Sequence, residues 1–361
     1  MVTRRQMLKW TAAAAALTVM PRRTSLRAAP TSPSEPITIP AEPVTADDWT
    51  WSSRVIHAVT IYKEPSVSSG RVATYQPDQS FTILGEVRAP FSAHNDLWYE
   101  TEEGYVHSAW VLPVRHYPPQ PFIEINGGFG FWGEVARPYT EGYRMPSTAS
   151  GRQYRFYGGC VFRVLESLVD ENGTGWYKVK DDYPPRQTTN HQWVLAEDMR
   201  RIPRAEMAPI RPFVGNKLMT IVNAEQALIC YEGDEEVFYT KFAGGMGGNL
   251  ATPPGTYHVL LKQASRHMSN ASYPGQPPEE RATAAIFDLP GVPWVIFFTL
   301  RGHAIHGAYW HNDYGIRRSH GCVNVPIDAG RWLYRWVHPI GAYDDDFIRS
   351  DSRVGTPLLI V

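Results

Sequence analysis

The chain is short of cysteine, of net charge and of long apolar runs. Its three cysteines, Cys160, Cys230 and Cys322, are spread over 361 residues with no Cys-x-x-Cys pair, which argues against a thiolate-rich zinc site. Thirty-five basic residues stand against 36 acidic ones. No basic excess is available to neutralise phosphates, so nucleic acid is excluded as a partner. The N-terminal apolar run, Trp10 to Met20, has eleven residues, too few to cross a bilayer as a helix, which takes about 20.

Proline, glycine and aromatic residues are plentiful. Thirty prolines, 29 glycines and 12% aromatic content, with many short Val, Tyr, Phe and Trp runs, predict β structure broken by turns. A length of 361 residues suits two or three domains. Thr3-Arg4-Arg5-Gln6-Met7-Leu8-Lys9, just before the apolar run, resembles the twin-arginine export motif. The resemblance implies a signal over residues 1–29, with cleavage near Ala28-Ala29, and release to the periplasm or cell wall as folded cargo. No cysteine follows the run, so no lipid anchor is expected and no stable membrane attachment should remain. Without residues 1–29, 29 basic residues face 36 acidic ones and the net charge is −7.

Residues 30–51 are rich in proline and read as an extended linker. Two β-rich units follow, 52–115 and 128–203. The first alternates through Val55 to Ile61, Phe81 to Val87, Leu97 to Glu100 and Gly104 to Val111; the second repeats the order with insertions at 138–155 and 182–191. The pairs Trp98-Tyr99 and Trp110-Val111, echoed by Trp176-Tyr177 and Trp193-Val194, are similar to bacterial SH3-like modules. That resemblance implies two small β-barrels that hold wall peptides, pack on a catalytic domain, or act as spacers.

The chemistry is concentrated near the C-terminus. Ile305-His306-Gly307 is followed, after a loop-like stretch, by Ser319-His320-Gly321-Cys322-Val323-Asn324. A thiol attacks as thiolate and needs a base for its proton, a task suited to histidine. His303 is an alternative base to His306. Glycine beside the nucleophile permits the backbone approach that an oxyanion site requires. Downstream, Pro326, Asp328 and the stripe Ala329, Trp332, Leu333, Trp336 predict a helix. Its N-terminus should help to depress the thiol pKa. Cys160 and Cys230 read as buried apolar residues or a mutual disulfide.

The IHG and SHGCVN segments resemble the active-site motif of the L,D-transpeptidase, or YkuD, catalytic domain. Thr252-Pro253-Pro254-Gly255-Thr256-Tyr257 and Gly291-Val292-Pro293-Trp294 fit the same family, so the resemblance covers residues 215–361. It implies a mainly β chain: two SH3-like barrels, then a YkuD-type β-sandwich with a short helix after the nucleophile. It further implies Cys322 as nucleophile and His306 as base, with Gly307, His320 and Gly321 orienting the base and the oxyanion, and Ser319, Asn324 and Tyr309 contacting substrate. No cofactor or metal is implied. The partners implied are peptidoglycan stem peptides, with carbapenem-type inhibitors, and the reaction a 3-3 cross-link through a thioester. L,D-carboxypeptidase activity, attachment of protein to the stem, and a non-catalytic wall-binding role stay open as alternatives. Wall endopeptidases that also follow SH3-like modules place cysteine before histidine, the reverse of His306 and Cys322 here. The polar segment Gln263 to Arg281 is read as a lid over the thiol.

Overall fold

The computed structural model describes residues 51–183, 188–269, 287–350 and 354–361. It is mainly β, in three regions. Residues 51–115 form a five-stranded antiparallel sheet, ordered Arg71–Tyr75, Val59–Tyr62, Gly104–His107, Leu97–Thr101 and Gly85–Arg88. A three-stranded sheet joins it, with Trp51–Val55 between Thr82–Ile83 and Val111–Arg115. Val55, Ile61, Tyr99, Val106 and Val111 fill the small core between them. The predicted strand Val55 to Ile61 is broken at residues 56–58. Val55 and Ile56 direct their N–H groups to Gln79 O and Trp110 O, which turns the chain from one sheet to the other.

The second region is a single seven-stranded antiparallel sheet running from Arg152–Tyr157 at one edge to Met199–Arg201 at the other. The sequence predicted an insertion at 138–155. The structure makes it a hairpin, Tyr139–Tyr143 with Arg152–Tyr157, that extends the sheet.

Residues 217–360 form two five-stranded sheets. One carries Glu235–Lys241, Ala227–Glu232, Lys217–Val222, Pro357–Ile360 and Gly255–His258; the other carries Val323–Val325, Ala304–Gly307, Asp288–Phe297, Leu261–Ser269 and Ile348–Arg349. Met219, Ile221, Leu228 and Phe242 meet Trp294, Ile296, Ile305 and Val323 across one core, closed by Leu333 and Trp336 of the helix Ile327–Trp336. The apolar run Val292 to Phe298 lacks polar alternation because both faces of its strand are covered. Trp294 and Ile296 face this core, whereas Val292 and Val295 join Phe156, Phe162, Val179 and Val194 of the seven-stranded sheet in a second one. The second β unit is therefore fused to the two five-stranded sheets by a common core.

Gln263 to Ser269, predicted as the start of a lid, continues a strand paired with Asp288–Phe297; residues 270–281, the rest of that lid, lie outside the described residues. Cys160 and Cys230 are free and buried, which resolves their expected state in favour of buried apolar residues.

Candidate active site

Parallel pairing brings the two motifs together. Ile305 lies opposite Val323, His306 opposite Asn324 and Gly307 opposite Val325, so the IHG strand and the strand after the thiol run side by side. Pro326 then opens the predicted helix at Ile327. Gly330 lets that helix close on the strand: a Cβ there would lie 3.0 Å from the Gly307 nitrogen. Two buried lysines hold the other helix end. Lys262 Nζ donates to Tyr334 O and Val337 O at 2.9 and 3.0 Å, and Lys217 Nζ to Trp336 O at 2.7 Å, satisfying carbonyls that a helix C-terminus leaves unpaired.

The turn that presents the thiol is closed by Ser319. Its hydroxyl donates to Cys322 O at 2.5 Å and accepts the Gly321 N–H at 3.1 Å. Gly321 sits at φ +116°, and a Cβ there would lie 2.9 Å from His303 Cδ2, so only glycine fits. On the far side, Ala243 and Asn324 exchange main-chain hydrogen bonds at 2.8 and 3.1 Å, and Met246 N–H donates to Ser319 O.

The Cys322 thiol donates to Gly302 O at 3.8 Å and keeps partial solvent access. Its surroundings still bury it enough to push its pKa up to about 11, with the Ala304 backbone pulling the other way. This corrects the expected depression by the helix N-terminus: an exposed helix end contributes roughly 0.3–1 kcal/mol, which desolvation outweighs. His306 is 2% exposed, and burial holds it down to about 4. Its Nδ1 lies 3.1 Å from Gly307 O. A carbonyl only accepts, so Nδ1 carries the proton and Nε2 keeps its lone pair. At rest the pair is neutral thiol and neutral imidazole, with a nitrogen able to take a proton.

Three other residues expected at the site are placed differently. Ser319 has its hydroxyl committed to the turn. Asn324 is buried, its side-chain amide 3.2 Å from His311 Nε2. Tyr309, 1% exposed, donates its hydroxyl to Pro290 O at 2.8 Å and belongs to the core shared with the seven-stranded sheet. Burial corrects these substrate-contact expectations to structural ones. The Gly321 N–H is donated within the turn, to Ser319 Oγ. His320 is half-buried, 5.2 Å ring to ring from Phe287.

The sequence reading missed how the loop between the motifs is held. Asp313 accepts from His94 Nε2 at 3.0 Å, Asn95 Nδ2 at 3.2 Å and Arg318 Nε at 3.1 Å. Asn312 Nδ2 donates to Tyr99 OH at 2.9 Å, and Arg54 Nη2 to Tyr309 O at 2.6 Å. The first β unit thus anchors the loop that joins base to nucleophile. A cavity of about 450 Å³ beside this junction, lined by Trp51, Glu86, Tyr99, Glu134, Tyr314 and Ile327 among others, does not include the thiol.

The strand of His306, the glycine turn of Cys322 and the parallel pairing that joins them all fall inside one stretch that a family model matches. Residues 216–360 match that of the YkuD L,D-transpeptidase catalytic domain. The chain carries a YkuD domain. Residues 1–21 match the twin-arginine translocation pathway signal sequence, so the YkuD domain is exported from the cytoplasm by that route. Among the described residues no helix is long and apolar enough to cross a membrane. No curated protein matches the chain. Among solved structures, the chain is similar to the catalytic domain of the E. faecium L,D-transpeptidase, at 18% identity over 41% of this chain and 99% of that one, TM-score 0.31. The L,D-transpeptidase from Mycobacterium smegmatis aligns at 17% identity over 68% and 100%, TM-score 0.31. An LD transpeptidase in complex with imipenem aligns at 14% over 68% and 98%, TM-score 0.30. Similarities this low leave the YkuD assignment resting on the family match.

Proposed function

We propose that this YkuD protein is a peptidoglycan L,D-transpeptidase that forms 3-3 cross-links through a Cys322 thioester. What carries the reading is the alignment of His306, with a bare Nε2, on the strand beside the thiol. In the reaction, the Cys322 proton passes to His306 Nε2 as the sulfur attacks the carbonyl between the third stem residue and terminal D-alanine. The tetrahedral oxyanion forms over the Gly321–Cys322 turn. The C–N bond breaks, the proton on His306 goes to the departing amine, and D-alanine leaves a thioester. A side-chain amine of a second stem then attacks, gives its proton to His306, and releases the thiol.

Carbapenems present a strained acyl carbonyl to the same sulfur and are the probe of choice. Incubation with imipenem, read by intact mass, should add one inhibitor mass to the wild-type protein and none to Cys322→Ala. Purified sacculi digested after incubation should yield 3-3 dimers. Tripeptides alone would identify water as acceptor, and an adduct retained by Cys322→Ala would refute the nucleophile.

A further inference from the structure

One buried side chain that the acyl-transfer chemistry does not use ties two sheets together. His267, 0% exposed, stands on the strand Leu261–Ser269. Its Nδ1 lies 2.6 Å from Asp181 Oδ2, on the strand Gly175–Tyr183 of the seven-stranded sheet. Its Nε2 lies 2.5 Å from Asp288 Oδ1, on the strand Asp288–Phe297 of its own sheet. Asp288 Oδ2 accepts from Tyr154 OH at 3.1 Å, and the Tyr154 ring meets the imidazole edge-on at 6.0 Å. The imidazole therefore bridges a strand of each layer.

The geometry fixes a proton count. A carboxylate only accepts, and a neutral imidazole has a single N–H. Two ring nitrogens this close to two carboxylates each need a proton in between, so the three groups together hold one proton more than a neutral histidine with two carboxylates. Without it, a nitrogen lone pair would face a carboxylate oxygen inside the protein, where an unsatisfied pair costs most. Among the described residues, the titratable groups facing His267 are Asp181, Asp288 and Tyr154. Cys160 and Tyr309 lie within electrostatic reach of Asp181, and Arg54 within reach of both; burial pushes Cys160 up to about 12 and raises Tyr309, so these two stay neutral near pH 7. Burial alone would lower His267; the hydrogen bond and charge of Asp181, then those of Asp288, outweigh it and hold the ring above its ordinary pKa.

We propose that Asp181, His267 and Asp288 form a proton-operated clasp between the seven-stranded sheet and the five-stranded sheet of His306, closed while the cluster holds its extra proton and weakened when that proton leaves. The strand of Asp288 pairs directly with that of His306, Ile296 lying opposite Ile305, so the clasp grips the frame of the site. Below about pH 6.5 the histidine is protonated folded and unfolded alike, and the contribution is complete. From there up to the raised folded value only the folded protein keeps the proton. The contribution then declines as pH rises, by at most about tenfold in the folding equilibrium constant per pH step.

Two measurements on the full protein test the clasp. In nitrogen-15 NMR of histidine-labelled protein, His267 is assigned by its absence in His267→Gln or its shift in Asp288→Asn. Both its ring nitrogens should be protonated in most molecules at pH 7, where an ordinary histidine is about one-quarter protonated. Asp288→Asn, at the more exposed end of the cluster, should lower the midpoint of that titration by about one pH unit or more. In urea denaturation, wild type and His267→Gln should differ most near pH 6, and the ratio of their folding constants should shrink by up to about tenfold per pH step from about pH 6.5 to the NMR midpoint. Lys262, held down to about 7 by burial, acts with the opposite sign but equally in both proteins. Where His267→Gln does not fold, Asp288→Asn takes its place. A His267 ring mostly neutral at pH 7, an Asp288→Asn midpoint equal to wild type, or a ratio constant over that range would each overturn the clasp.

Discussion

The resting charge state of the thiol and its base can be tested without substrate. Cys322 is pushed up to about 11 and His306 down to about 4, so moving the proton from sulfur to imidazole runs roughly seven pH decades uphill, or about 9 kcal/mol. Even at 4 Å and an effective dielectric near 20, opposite charges would return only about 4 kcal/mol. A thiolate–imidazolium pair is then a minor species, and at pH 7 about one molecule in 10⁴ carries a thiolate, against about one in 30 for an ordinary cysteine. The assay is carbamidomethylation by iodoacetamide, read by intact mass over pH 6 to 9.5. Cys160 and Cys230 are fully buried and stay silent in the folded protein, so the signal belongs to Cys322. The rate should climb close to tenfold per pH step across the whole range and lie about 300-fold below that of a free cysteine at pH 7. A plateau beginning below pH 7, or a rate above the free thiol at pH 6, would refute the neutral pair.

Three further outcomes follow from the same geometry. Ser319→Ala removes the hydroxyl that bridges Cys322 O and Gly321 N–H; we expect a loss of about 1–3 kcal/mol in chemical denaturation and slower imipenem acylation. Asp313→Ala leaves Arg318 and His94 facing a vacated, buried counter-charge; urea denaturation should show a loss of about 3–5 kcal/mol, and an unchanged midpoint would refute the anchoring of the loop. Lys262, buried and held down to about 7, binds fewer protons folded than unfolded between about pH 7 and 10. Folding should therefore gain stability as pH rises through that window, by at most about 1.4 kcal/mol per pH step, and Lys262→Met should flatten the slope relative to wild type.

What the sequence made legible was local. Pro326 with Ala329, Leu333 and Trp336 announced a helix, since start signal and period lie within one segment. The strand at Trp294 was equally plain, but its second face was not. Hydrophobic period reports that a side is covered and is silent on the cover, so the meeting of Val295 with Phe162, more than 130 residues earlier in the chain, could not be read. The same limit applies at the site. Cys322 and His306 were legible as types in a motif, whereas the direction of a hydroxyl was not: Ser319 lies beside the nucleophile in sequence and points into its own turn. Tyr309 sits two residues past Gly307 and faces the core because Pro290 O awaits its hydroxyl.

The common core behind the thiol ties the enzyme's delivery to residues far from its chemistry. A fragment cut to the YkuD match would bare Val292, Val295 and Ala304, stripped of Phe156 and Phe162, and could not hold the nucleophile strand dry. A lesion at Phe162 would thus strand the whole molecule in the cytoplasm, because a route that accepts finished cargo rejects one with an open back. Secretion itself becomes the inspection step, and every exported copy leaves the cytoplasm with the seven-stranded sheet already assembled behind the sulfur.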